Sequence, residues 1–186
     1  MHDRFTTVRV AFLTLGCRMN QYDTEVMKAR LPADLRCEIV DWDDPADVYI
    51  LNSCTVTVKA DQKCRQLARR VRRRAPDAKI VVTGCYAQTQ PEALAEMTEL
   101  DGIIGVNERE DIHQWLPRLL YEEQRLLEVT QYSKRLAFRS HRITDFDGRT
   151  RAYVKIQDGC DLRCTYCLIW KARGPGRSRD PQDVVG

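Results

Sequence analysis

Three short runs rich in valine, isoleucine and leucine occur at residues 8–15, 48–51 and 80–82, and a cysteine follows each within three residues: Cys17, Cys54 and Cys85. Strands apolar on both faces need cover on both sides, as the strands of a parallel sheet have. The stretches between them carry a helical period. Residues 23–31 and 60–74 read as helices, and in the second Cys64, Leu67, Ala68 and Val71 share one stripe with arginines opposite. Pro76 ends that helix, Pro91-Glu92 opens another that runs to residue 100, and residues 111–123 read as a fourth, interrupted by Pro117. Residues 38–40 and 102–106 are weaker strand candidates. The alternation predicts an α/β fold, a parallel-sheet N-terminal domain with flanking helices.

After Glu128 the pattern weakens. Residues 130–150 are polar and basic with a turn signal at Asp147-Gly148, a fresh strand is expected over 151–157, and a helix start at Asp180-Pro181. The expected organisation is a domain over 1–128, a linker over 129–148, and the beginning of a second domain over 149–186. With 43% hydrophobic residues, 31% charged residues and only 16 Gly plus Pro in 186, the composition excludes a disordered or fibrous chain. No apolar run approaches a membrane span and no secretory signal opens the sequence, so a cytoplasmic protein without a membrane partner is expected.

The net charge of +3 is unevenly placed. Residues 151–186 hold seven Lys/Arg against four Asp, which leaves the first 150 residues balanced. A dense basic run at 69–74 and a basic stretch at 134–142 suit phosphate contact, and a solvated helix face accounts for them equally well.

Eight cysteines in a chain expected to be cytosolic point to metal or catalytic thiolates rather than disulfides. Cys160, Cys164 and Cys167 are spaced to turn three thiolates toward one point on a tight loop, which suits zinc or an iron–sulfur cluster. A structural zinc site wants four ligands, and no Cys or His follows in the last 19 residues; a distant one could be recruited. Three ligands on a cubane cluster instead leave one iron open for a small molecule. Cys17, Cys54 and Cys85 each fall just beyond the carboxyl end of an expected parallel strand, where ligands of open α/β sheets bind. Gly16 and Gly84 would let the backbone turn close to a bulky ligand. Cys37 and Cys64 read as core thiols, and His2, His113 and His141 show no ligand spacing.

Gly16-Cys17-Arg18-Met19-Asn20-Gln21-Tyr22-Asp23-Thr24-Glu25, Asn52-Ser53-Cys54-Thr55-Val56-Thr57 and Gly84-Cys85-Tyr86-Ala87-Gln88 resemble the N-terminal domain of the radical S-adenosylmethionine methylthiotransferases. Val154-Lys155-Ile156-Gln157-Asp158-Gly159-Cys160, with the following Cys164-Thr165-Tyr166-Cys167, resembles the entry to their radical domain, the first strand and cluster loop of a partial TIM-like barrel. Asn-Gln-Tyr-Asp after Cys17 and Thr-Val-Thr after Cys54 look most like the branch that modifies N6-threonylcarbamoyladenosine in tRNA. Other branches modify isopentenyladenosine in tRNA or an aspartate of a ribosomal protein.

The resemblance implies two [4Fe–4S] clusters. Cys160, Cys164 and Cys167 would hold the one that binds S-adenosyl-L-methionine, whose reductive cleavage gives a 5′-deoxyadenosyl radical that takes hydrogen from C2 of the substrate adenine. Cys17, Cys54 and Cys85 would hold the one carrying the sulfur to be methylated, and Tyr166 would lie near the cofactor adenine. A tRNA substrate and a flavodoxin- or ferredoxin-like electron donor are implied as partners. The chain departs from the family where Leu168-Ile169-Trp170-Lys171 precedes Ala172-Arg173-Gly174, since a proline usually stands before that Arg-Gly. It also looks truncated, lacking the rest of the barrel, so the expectation is weak or no activity from this chain alone. The alternatives are an inactive iron–sulfur or RNA-binding module, or a methylthiotransferase acting on isopentenyladenosine.

Overall fold

Strand β1 (Val8–Thr14), β2 (Cys37–Val40) and β3 (Val48–Ser53) pair in parallel, with β3 buried along its whole length. β4 (Lys79–Gly84), β5 (Gly102–Ile104) and β6 (Leu126–Glu128) continue the sheet, all parallel, in the order β2-β1-β3-β4-β5-β6. The computed structural model describes residues 7–132, 137–141, 143 and 153–185. The chain steps from β1 outward to β2, then back across to β3. The winding therefore reverses between β1 and β3, the switch point at which open α/β sheets form their crevice.

Alternate residues of the central strands face opposite layers. Tyr49, Leu51, Ile80 and Val82 pack with Cys64, Ala68 and Val71 of helix α2 (Val58–Arg74). Val48, Ile50 and Val81 pack on the other side with Met27 of α1 (Arg18–Ala29) and Ile112, Trp115, Leu116 and Leu119 of α5 (Ile112–Tyr121). Two helices lie between β4 and β5, α3 (Cys85–Thr89) and α4 (Pro91–Ala95).

Within residues 8–128 the expected strands and helices are present, with shifted ends. α1 starts at Arg18 rather than residue 23, because Asn20, Asp23 and Thr24 are polar yet buried and hide the helical stripe. α4 is shorter than expected, and α5 runs through Pro117, held by its buried apolar face. Strand β6 and helix α3 have too few residues to show a period. Thr57 caps α2, accepting the Ala60 N–H at 3.2 Å. Of its six arginines four are held by side chains, and Arg70 and Arg73 are exposed. Arg65 donates to the Tyr86 hydroxyl at 2.5 Å, Arg69 meets Glu99 at 3.3 Å, Arg72 meets Asp101 at 2.6 Å and Arg74 meets Asp43 at 3.1 Å.

Cys64 is a core thiol, fully buried on α2, and burial pushes its thiol up to about 12. Cys37 is partly buried against the α1–α5 layer, and burial, with Asp34, raises its thiol as well. All eight cysteines are free thiols. No helix among the described residues is long and apolar enough to cross a membrane.

In the segment after the sheet, the strand expected over 151–157 is not formed as such. Only Gln157–Asp158 (β7) is extended into a ladder, antiparallel to Arg177–Ser178 (β8), and residues 153–156 carry no strand. The Ile156 carbonyl accepts the Arg179 N–H at 2.8 Å, and among the described residues no ladder extends further back along the stretch. Between β7 and β8 lies α6 (Ile169–Arg173), and α7 (Pro181–Val185) begins at the expected proline. The turn signal at 147–148, part of the basic stretch 134–142 and residues 151–152 lie outside the described residues.

Replacing Ile50, fully buried on β3, with alanine is expected to lower the unfolding free energy by about 2–5 kcal/mol in a denaturant titration. Leu127→Ala, on the edge strand and 58% exposed, is expected to change it by less than about 0.5 kcal/mol.

Candidate metal centre

Register brings the first three cysteines to one edge. Thr14 pairs with Asn52 and Asn52 with Thr83, so the carboxyl ends of β1, β3 and β4 lie level. Cys17 is the N-cap of α1, Cys54 follows β3 and Cys85 opens α3. Gly16 stands between the first two. Its φ is +111°, and a Cβ there would lie 2.6 Å from the Cys54 Cβ and 2.9 Å from its Sγ. Glycine at 16 therefore lets the Cys17 loop approach Cys54 itself.

Asn20, fully buried on the first turn of α1, joins the three loops. Its Nδ2 donates to the Leu15 carbonyl at 3.0 Å and to the Ser53 carbonyl at 2.8 Å, tying the loop before Cys17 to the loop before Cys54. Its Oδ1 lies 3.9 Å from both the Cys17 and the Cys85 Sγ. Asn52 fastens Asn20 in turn, donating to its backbone carbonyl at 2.8 Å. Cys17 is exposed, whereas Cys54 and Cys85 are buried.

Beneath Asn20 is a buried ionic cluster. The Asp23 carboxylate meets Arg109 at 2.7 Å, Arg173 at 2.8 Å and Lys155 at 3.1 Å, and Asp158 meets Lys155 at 2.7 Å and Arg173 at 2.9 Å. Arg173 also donates to the Asn20 Oδ1 at 2.7 Å. Burial alone would raise the two carboxyls, but the cations outweigh it and hold both below their ordinary value. Burial raises the Cys85 thiol, and Arg173 and Arg109 oppose it. Much of the basic excess after residue 150 is thus turned inward: Lys155, Arg173 and Arg179 are buried, and Arg177 lies 3.8 Å from Asp158.

The second three cysteines occupy the loop between β7 and α6, each partly buried. The Cys167 N–H donates to the Cys164 carbonyl at 3.0 Å, and the Cys160 N–H to the Gly174 carbonyl at 3.0 Å, which folds the loop back on the end of α6. Cys160 borders a cavity of about 700 Å³ shared with Gln88, Thr89, Tyr132, Trp170 and Lys171. Arg163 and Lys171 lie 5.4 and 5.2 Å from the Trp170 ring. Tyr166 is 89% exposed and borders none of this.

Among the described residues no three His, Cys, Asp or Glu side chains are gathered as ligands of one metal ion. A cubane does not require that, since each thiolate binds a different iron and the three stand wider apart than ligands of a single ion. The donor set at the sheet edge fits such a cluster: three soft thiols, a glycine for close approach, and buried guanidiniums to balance thiolate charge. Asn20, Asp23 and Arg173 were not singled out as site residues from the sequence. Their signal was a polar break in the stripe of α1 and an arginine beside Gly174.

Fold and site together define a doubly wound α/β domain with a cysteine-lined carboxyl edge, joined to a second three-cysteine loop. The family model described as "Uncharacterized protein family UPF0004" matches residues 9–105. The chain belongs to that family, the N-terminal domain of the methylthiotransferases. It is 42% identical over 176 residues to the threonylcarbamoyladenosine tRNA methylthiotransferase MtaB of Bacillus subtilis, covering 95% of this chain and 39% of that protein. It is 38% identical to the protein of the same name from Aquifex aeolicus, covering 96% and 43%. The tRNA-2-methylthio-N(6)-dimethylallyladenosine synthase of Natranaerobius thermophilus is 32% identical, covering 92% and 39%. The chain thus spans about two fifths of the length of the curated relatives it matches. The isolated REC domain of RcsB from Salmonella enterica overlaps 64% of this chain and 92% of its own, with a TM-score of 0.49 and 13% identity.

Because the folded-state carboxyls of Asp23 and Asp158 titrate below their ordinary 3.8, the stability they contribute is complete above that value and is lost as the pH falls below it. Asp23→Asn leaves three buried cations with one carboxylate fewer and is expected to cost about 3–5 kcal/mol at neutral pH. Denaturant unfolding from pH 7 to 3 should show that deficit shrinking as the wild type loses the same interaction in acid.

Proposed function

We propose that this chain carries the two iron–sulfur sites of a tRNA methylthiotransferase that adds a methylthio group to C2 of N6-threonylcarbamoyladenosine next to the anticodon. In this reading residues 1–128 form the methylthiotransferase domain, 129–148 a linker, and 149–186 the beginning of a radical S-adenosylmethionine domain with its cluster loop. Cys17, Cys54 and Cys85 would hold the sulfur-donor [4Fe–4S] cluster, and Cys160, Cys164 and Cys167 the second. The observation that carries the reading is the convergence of three cysteines at one sheet edge, Cys17 and Cys85 on the Asn20 Oδ1 and Cys54 against Gly16, with the segment of the second cysteine loop docked on Asn20.

When bound, the clusters and S-adenosyl-L-methionine supply the one-electron chemistry and the transferable sulfur and methyl groups. The chain's own part is to hold the thiols at the sheet edge, through Gly16 and the amide of Asn20, and to set cations beside them. Cys160 borders a cavity of about 700 Å³, of the size that takes a nucleoside-sized ligand. Tyr166 is exposed on the same loop, available to the adenine of the cofactor. The reading includes a flavodoxin- or ferredoxin-like donor and a cytoplasmic setting.

Anaerobic reconstitution of the chain with iron and sulfide is expected to give about eight irons, falling to about four when either cysteine triad is replaced with alanine. Unchanged iron after replacing Cys17, Cys54 and Cys85 would overturn the first site. In cells deleted for the gene, nucleoside mass spectrometry of tRNA should show loss of the 2-methylthio form of N6-threonylcarbamoyladenosine alone. Loss of 2-methylthio-isopentenyladenosine instead would reassign the substrate.

A further inference from the structure

The ion cluster below the cysteines is unbalanced. Asp23 and Asp158 face Arg109, Lys155 and Arg173, all five buried, an excess of one formal positive charge to which Arg177, 3.8 Å from Asp158, adds another. Among the described residues the Nε and Nη1 of Arg109 find no hydrogen-bond partner, although the residue is 1% exposed. A buried cation without its counter-charge is costly, so a surplus retained at one place calls for an anion beside it. Three thiolates, or a thiolate-ligated cluster, are such an anion, and both Arg109 and Arg173 act electrostatically on Cys85.

Of these cations Arg173 alone also holds the Asn20 side chain. One Nη spans the Asn20 Oδ1 at 2.7 Å and the Asp23 carboxylate at 2.8 Å, while the other reaches Asp158 at 2.9 Å. The same Oδ1 is the atom that Cys17 and Cys85 share. Arg173 lies at the end of α6, and the next residue, Gly174, accepts the Cys160 N–H. One side chain therefore connects the segment of the second cysteine loop to the atom on which the first cysteine site is arranged.

We infer that Arg173 is a positioning residue for the Cys17–Cys54–Cys85 site: its guanidinium fixes Asn20 beside two of the thiols and sets a positive charge beneath them, so that the first site is completed only when the segment bearing the second cysteine loop is seated. The inference rests on the reading of those cysteines as a cluster site. It assigns to a residue of the radical-domain segment a role at the other cluster. A planar fork suits this place, because lysine carries the charge but cannot span Asn20, Asp23 and Asp158 together.

The test uses the chain with Cys160, Cys164 and Cys167 replaced by alanine, so that iron reports on the first site alone. After reconstitution, the reduction potential is read by a redox titration followed by electron paramagnetic resonance, and the rate of iron loss to a chelator is read separately. R173M is expected to shift the potential downward, because adding an electron to an anionic cluster is harder once the cation is gone. R173K is expected to keep the potential near that of the parent and to lose iron several-fold faster. R177M, which removes a cation 3.8 Å from Asp158 and a donor to the Arg173 carbonyl without touching Asn20, is expected to shift the potential less than R173M does. An unchanged potential in R173M, or an equal shift in R177M, overturns the role of Arg173. If R173M does not fold, R173K decides, and an iron-loss rate equal to the parent's overturns the inference. A parent chain that binds no iron overturns the cluster reading and this inference with it, whereas iron in the parent with indifferent variants overturns this inference only.

Discussion

The carboxylate of Asp23 is entirely buried and is tolerable there because three cations close on it. Arg109 comes from the turn before α5, Lys155 from the stretch before β7, and Arg173 from the end of α6. Three parts of the chain distant in sequence are thereby committed to one point on α1. A buried charge of this kind adds little net stability, since desolvation offsets most of the attraction, but removing one partner is severe. It specifies an arrangement more than it strengthens one. That arrangement brings the second cysteine loop's segment against the edge of the sheet where the first three cysteines stand.

The edge itself follows from parallel pairing. Strands β1, β3 and β4 run the same way and end level, so residues one to three positions past each end become neighbours, although they lie 37 and 31 residues apart in sequence. This much was legible beforehand, because runs such as 48–51 and 80–82 are apolar throughout and a cysteine follows each at nearly the same offset. The core role of Cys64 was legible for the same reason, through its place on the stripe of α2.

What hides from the sequence is polar burial. Asn20, Asp23 and Arg173 look like solvent-facing residues in a pattern of apolar positions, and their partners are 132 or more residues apart where Lys155 and Arg173 meet α1. The arginines of α2 show a related limit, since composition does not tell which are paired. The run of five in six positions suits phosphate contact or a solvated face alike, and three of the five, Arg69, Arg72 and Arg74, are held by Glu99, Asp101 and Asp43. The strand expected over 151–157 failed because a strand depends on what lies beside it, which local composition does not report.

The distance in sequence between Asn20 and Arg173 has a consequence for biosynthesis. The last of the first three cysteines is polymerised 88 residues before Arg173, roughly 4–18 s ahead at 5–20 residues per second. During that interval the sheet can form with its thiols in place while the cation meant to sit beneath them is still unmade. In the order of synthesis the three sheet-edge cysteines thus precede the cation that sits beneath them, and that cation arrives on a segment that brings three cysteines of its own.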